Sequence, residues 1–131
     1  MNTNEQQDPL STDGTTDVNN ILKDLNAASE DILLSMVATV DGLTITSLGA
    51  VYDDNKVGAM CSELLTVCAR SAKELQQGNI NEMFLRCSDS NIFLIPSGTM
   101  VVLAIITKPE INLGLLLIEA ERAAKAISSC L

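Results

Sequence analysis

The chain has 131 residues, 47% of them hydrophobic, which suits one domain with a real core and leaves little room for a second. Its 17 acidic residues against 8 basic ones give a formal charge of −9, and with 2% aromatics and no Trp it lacks both the charge and the stacking platforms of nucleic-acid binders. The longest nearly unbroken apolar run, Met100 to Ile106, is far below the roughly 20 residues that span a bilayer, so no membrane insertion is expected.

Residues 1–16 read as an acidic, disordered tail: Glu5, Asp8 and Asp13 stand there without a single Lys or Arg, unlike a secretory signal or a transit peptide. The domain is then 17–131. Without an export signal the expected compartment is the cytoplasm, where the four cysteines stay reduced. Asp17 can cap a first helix, in which Val18, Ile21, Leu22, Leu25 and Ala28 recur at intervals of three and four. Ile32 to Val40 is apolar at both parities, as expected of a strand covered on both faces. Asp41-Gly42 signals a tight hairpin, and the Thr-rich Leu43 to Leu48 returns as an edge strand.

After the loop Gly49 to Asp53, Asp54 can cap the longest helix, which runs to about Gln77 and ends at Gly78. Its apolar arc is broad, taking in Val57, Met60, Cys61, Leu64, Leu65, Val67, Cys68, Ala72 and Leu75, with Gly58, Ser62 and Ala69 on one margin. Glu63, Thr66, Arg70, Lys73 and Glu74 form the polar face. Three strand signals follow, Ile80 to Cys87, Asn91 to Pro96 and Thr99 to Thr107, separated by Ser88-Asp89-Ser90 and Ser97-Gly98. The first alternates Met83, Leu85 and Cys87 with Glu82, Phe84 and Arg86 and reads as an edge, whereas the last is apolar on both faces. Pro109 breaks the pattern, Asn112 can cap, and Leu113, Leu116, Leu117, Ala120, Ala124 and Ile127 mark a final amphipathic helix.

The element order is αββαβββα. Strands one and five belong at the centre because both of their faces are apolar, and the hairpins place two beside one and four beside five. The fold class is therefore α/β (α+β): a five-stranded antiparallel sheet of order 2-1-5-4-3 in a three-layer α/β/α sandwich, with the long helix on one face and the terminal helices on the other.

Chemistry is conspicuously missing from the chain. There is no His, which removes triads, Cys-His pairs and most catalytic zinc arrangements, and the seven glycines form neither GxxxxGK[ST] nor GxGxxG. Cys61, Cys68, Cys87 and Cys130 have no metal-ligand spacing and read as core residues. Asp53 and Asp54, near Asp41, read as helix-start residues rather than as a carboxylate pair for acid-base work or Mg²⁺. The only arginines, Arg70, Arg86 and Arg122, all lie on polar faces. No catalytic residue, cofactor or metal is expected, and the chain does not read as an enzyme.

With its element order, the segment Val40-Asp41-Gly42-Leu43-Thr44-Ile45 and the helix opening Asn112-Leu113-Gly114-Leu115-Leu116, the sequence from about Val18 to Ile127 resembles the roadblock/LC7 (dynein light chain 7) family, which includes the bacterial MglB-like regulators of Ras-like GTPases. The resemblance implies a homodimer or heterodimer in which third strands pair edge to edge, through Ile80, Glu82, Phe84 and Arg86, and long helices pack side by side. Gly58, Ser62, Leu65, Ala69 and Ala72 are the candidates for the helix contact, although Leu65 and Ala72 suit the core equally well. It further implies a non-catalytic regulator of a small Ras-like GTPase, docking through Glu63, Thr66, Arg70 and Lys73. The alternative is an assembly adaptor in a motor, secretion or signalling complex. A small-ligand sensor is a third reading, since profilin-like sandwiches can host pockets, but the loop Gly49 to Lys56 offers it little support.

Overall fold

The computed structural model describes residues 9–50 and 52–131, and within them the expected sandwich. The elements are α1 (Pro9–Ala28), β1 (Ile32–Thr39), β2 (Thr44–Gly49), α2 (Asp54–Glu74), β3 (Met83–Arg86), β4 (Asn91–Ser97), β5 (Val101–Thr107) and α3 (Leu113–Cys130). The sheet is antiparallel throughout and its order is β2-β1-β5-β4-β3. The two strands that are apolar at both parities sit inside: residues 34–38 of β1 and all of β5 are buried. Position in the sheet follows from solvation, because only a central strand has both faces covered by other layers.

α1 and α3 cover one face, where Phe93, Leu103 and Ile105 of the sheet meet Val18, Leu22, Leu25, Leu116, Ala120 and Ile127. α2 covers the other, resting through Cys61 and Leu65 on Leu34, Met36, Leu94, Val102 and Ala104. The Asp41-Gly42 hairpin forms as expected: Gly42 takes the left-handed φ of 100° that a side chain would resist, Thr39 N–H donates to Leu43 O (2.8 Å), and Gly42 N–H donates to Thr39 O (2.9 Å). Asn112 caps α3 as expected, its Oδ1 accepting from Leu115 N–H at 3.1 Å.

Three boundaries differ from the sequence reading. α1 begins at Pro9 rather than at Asp17, so residues 9–16 of the expected tail are helical, while 1–8 lie outside the described residues. Tertiary contact explains the extension: Gly14 is buried, and a Cβ there would meet Cys130 O and Leu131 Cδ2, both at 3.5 Å, so the added turns rest on the end of α3. Pro9 at the first position lacks only an N–H that a helix start leaves unused. α2 is capped by Asp53, one residue early, whose Oδ1 accepts from Lys56 N–H at 3.3 Å. It ends at Glu74, where Gln76, not Gly78, takes the first left-handed turn (φ 58°) and Gln77 N–H returns to Ala72 O at 2.8 Å. β3 is the third: four residues pair with β4 where eight were expected, because the described hairpin register extends only from Met83 to Arg86.

Candidate functional site

The candidate residues of the sequence lie on α2 and at or beside the β3 edge of the sheet. α2 separates into three stripes. The first is docked on its own sheet. Gly58 lies so close beneath the β1–β2 turn that a Cβ would stand 2.6 Å from Gly42 O and 3.1 Å from Thr44 Oγ1. One turn on, Ser62 Oγ donates to Val40 O at 2.7 Å, and Cys61 and Leu65 enter the core. At the helix start, Thr44 Oγ1 donates to Asp54 O (3.0 Å) and Ser47 Oγ to Asp54 Oδ2 (2.8 Å), so Asp54 ties α2 to β2 rather than forming a reactive carboxylate pair. Burial pushes the Cys61 thiol from 9.0 to about 11, which leaves it protonated and unreactive at neutral pH.

The second stripe is apolar and uncovered. Met60 and Val67 are 53% and 49% exposed, Leu75 at the helix end is 69% exposed, and Leu64 and Cys68 between them are half-buried. Beneath this flank α2 leaves part of β4 and β5 uncovered, an almost wholly apolar trough of about 420 Å³ between Tyr52, Val57, Met60 and Leu64 of the helix side and Ile92, Ala104 and Ile106 of the sheet. The third stripe, Glu63, Thr66, Arg70 and Lys73, is exposed along the flank beside the docked one.

Two adjustments to the sequence reading follow. Gly58, Ser62 and Leu65 are committed to this chain's own sheet, so of the five residues considered for a helix contact only Ala69, exposed, and Ala72, half-buried, remain outside that docking. The flank Met60, Leu64, Val67 and Leu75 was counted within one broad arc, yet that arc is too wide for a single flat contact, and its width was the available signal for a second surface. Among the cysteines, none of which is paired, Cys61 is buried, Cys68 and Cys130 are intermediate, and Cys87 is exposed on the β3–β4 turn rather than in the core.

β3 closes the sheet on this side. Cys87 N–H donates to Ser90 O at 3.0 Å across the hairpin, and since bonded and non-bonded pairs alternate, Leu85 and Met83 face β4 with their backbone groups while Phe84 and Arg86 direct theirs outward. Phe84 lies opposite Phe93 in a non-bonded pair, the closer of the two spacings, and the rings stack at 4.6 Å with an interplanar angle of 12°. Phe84 remains 43% exposed. Arg86 at the end of the strand and Glu82 just before its start are exposed, and Ile80 is half-buried near Ala69 and Lys73 at the foot of α2. Among the described residues the one ion pair joins Arg122 to Glu119 (2.8 Å), no group of three His, Cys, Asp or Glu could hold a metal ion, and no helix is long and apolar enough to cross a membrane.

The sandwich has one face closed by two helices, one partly open face and an unpaired β3 edge. Residues 19–107 match the roadblock/LC7 domain family, and the chain belongs to it. The uncharacterized protein MJ1340 of Methanocaldococcus jannaschii is 32% identical over 113 residues, 86% of this chain and 97% of that protein. Among solved structures, Myxococcus xanthus MglB superposes with a TM-score of 0.83 at 16% identity, covering 98% of this chain and 92% of its own. The roadblock/LC7 domain from Streptomyces avermitilis gives 0.80 at 16% identity, covering 86% and 96%. At such identities the two structures speak to the fold.

Proposed function

We propose that the chain is a non-catalytic, dimeric regulator of a small Ras-like GTPase. The observation that carries this reading is the division of α2 into an uncovered apolar flank above a trough and a separate polar ridge. A second copy, joined through the β3 edge and the flank Met60, Leu64 and Val67, covers what one chain leaves open. The polar ridges Glu63, Thr66, Arg70 and Lys73 of the two helices then lie together as one docking surface of mixed charge.

Such a surface regulates by selection. It binds one arrangement of a GTPase's switch loops better than another, so that arrangement gains population and the GTPase's own residues carry out hydrolysis or exchange. The membership of MglB-like regulators in the same family supports this class of partner.

The test is GTP hydrolysis and nucleotide release by a Ras-like GTPase from the same organism, titrated with this protein. Acceleration of either supports the proposal, and Arg70→Ala with Lys73→Ala should raise the concentration needed for half the effect. Rates that stay flat at every concentration reject it. Co-purification of a stoichiometric partner free of nucleotide would point instead to an assembly adaptor.

A further inference from the structure

Asn91, the first residue of β4, is 2% exposed, and its Nδ2 donates to Thr107 Oγ1 at 3.3 Å, to Lys108 O at 3.0 Å and to Pro109 O at 3.1 Å. Two of those acceptors are backbone carbonyls, so the amide cannot be turned over: Oδ1 would then face oxygens with nothing to donate. Thr107 Oγ1 gives its own hydrogen to Lys108 O at 2.9 Å. Oδ1 is therefore a fixed, buried acceptor with no donor among the described residues, an unfavourable state that a ligand's donor would relieve. Asn91 lines a cavity of about 230 Å³ before the start of α3. At the roughly 30 Å³ that a water occupies, this is room for a small organic molecule rather than for one or two waters. Arg86, opposite Asn91 in the β3–β4 pair, and Glu110, on the loop after β5, border the same cavity; both are exposed, and neither is in an ion pair among the described residues. Phe84, Ile111 and Leu113 add apolar wall. The loop that carries Glu110 is anchored, since Lys108 N–H donates to Asp31 O at 2.9 Å.

The geometry points to a binding site for a free α-amino acid with an apolar side chain. Its carboxylate pairs with the Arg86 guanidinium, its ammonium donates to Glu110 and to Asn91 Oδ1, and its side chain lies against Phe84, Ile111 and Leu113. Asn91 Oδ1 is what narrows the chemistry, because an acceptor needs a donor. A simple anion answers Arg86 and leaves Oδ1 bare, and a simple amine answers Oδ1 and Glu110 and leaves Arg86 unmatched, whereas the zwitterion satisfies all three. Oδ1 is closed to solvent, and the parts of the lining free to move aside are the exposed Arg86 and Glu110 side chains, the two groups that the ligand draws in. The site goes beyond the GTPase reading and does not rest on it, since every group in it belongs to one chain.

The test is isothermal titration calorimetry of the full chain with L-alanine, L-leucine and L-phenylalanine, beside nitrogen-15 NMR of the Asn91 side-chain amide. At least one of the three should bind and shift the Asn91 amide resonances. For leucine, 4-methylpentanoate lacks the ammonium and 3-methylbutylamine lacks the carboxylate, and each should bind about tenfold or more weakly than the amino acid. Arg86→Gln and Glu110→Gln alter exposed side chains, so the fold should persist, as circular dichroism melting would check, and each should weaken binding about tenfold or more. Glu121→Gln, which borders a different cavity, should leave it unchanged. Three amino acids that give neither heat nor an Asn91 shift at millimolar concentration overturn the site. Analogues that bind as tightly as leucine overturn the zwitterion, and binding indifferent to both variants overturns the placement. Each of these failures leaves the GTPase reading standing, because none of them measures nucleotide turnover.

Discussion

The two faces of one sheet are built from similar aliphatic residues and end in different states. On the α1/α3 face, helices supply eight of the buried side chains packed over Phe93, Leu103 and Ile105, whereas on the other face α2 supplies only Cys61 and Leu65. Two helices can tile a sheet of five strands; a single helix pinned near one end cannot. α2 is pinned by Gly58 under the hairpin, by Ser62 on Val40 O and by Asp54 on β2, all toward the β1–β2 side, so the trough opens over β4 and β5. One face of the sheet is closed by two helices, and the other keeps an apolar trough.

The contrast can be broken most forcefully on the sealed face. Phe93→Ala removes a side chain 1% exposed and should cost about 3–5 kcal/mol in urea unfolding, while Val67→Ala on the open flank should stay within about 0.5 kcal/mol in dilute solution. Equal losses would mean that the faces are not different in kind. Next in size is a pH effect at the root of α2. Below pH 9 the Cys61 thiol is protonated whether the chain is folded or not; from 9.0 to about 11 the unfolded chain releases the proton and the folded chain keeps it. Stability should therefore fall as the pH rises across that window, by about 2–3 kcal/mol from this group, and Cys61→Ala should flatten that part of the curve.

Gly58→Ala sharpens the comparison further. Its Cβ would meet backbone, Gly42 O at 2.6 Å, so α2 must lift, at about 1–3 kcal/mol, with faster amide exchange in α2 and none of that change in α1 or α3. Exchange rising in all three helices would show that the faces are one cooperative unit. Smallest is Arg122→Ala, which deletes a surface ion pair on α3 and should change stability by less than about 0.5 kcal/mol.

Much of this could be read in the chain before any coordinates. The five strands and their order followed from two segments apolar at both parities, Ile32 to Val40 and Thr99 to Thr107, because burial on both sides leaves no other place for them. Asp41-Gly42 and Asn112 carried their turn and cap chemistry in their own side chains and formed where expected. The α2 surface was less legible. A helical wheel shows how wide an apolar arc is, but not which part of it faces the sheet, and Gly58, Ser62 and Leu65 went inward where Met60 and Val67 stayed in water.

The sequence alone determined the elements, the sheet order and the absence of His-based chemistry, since periodicity, turn residues and composition are local quantities that every folded arrangement of the chain must respect. The tertiary structure decided where α1 starts and how α2 lies across the sheet. Those depend on contacts between residues far apart in the chain, Gly14 against Cys130 and Gly58 against Gly42, whose distances no local pattern encodes.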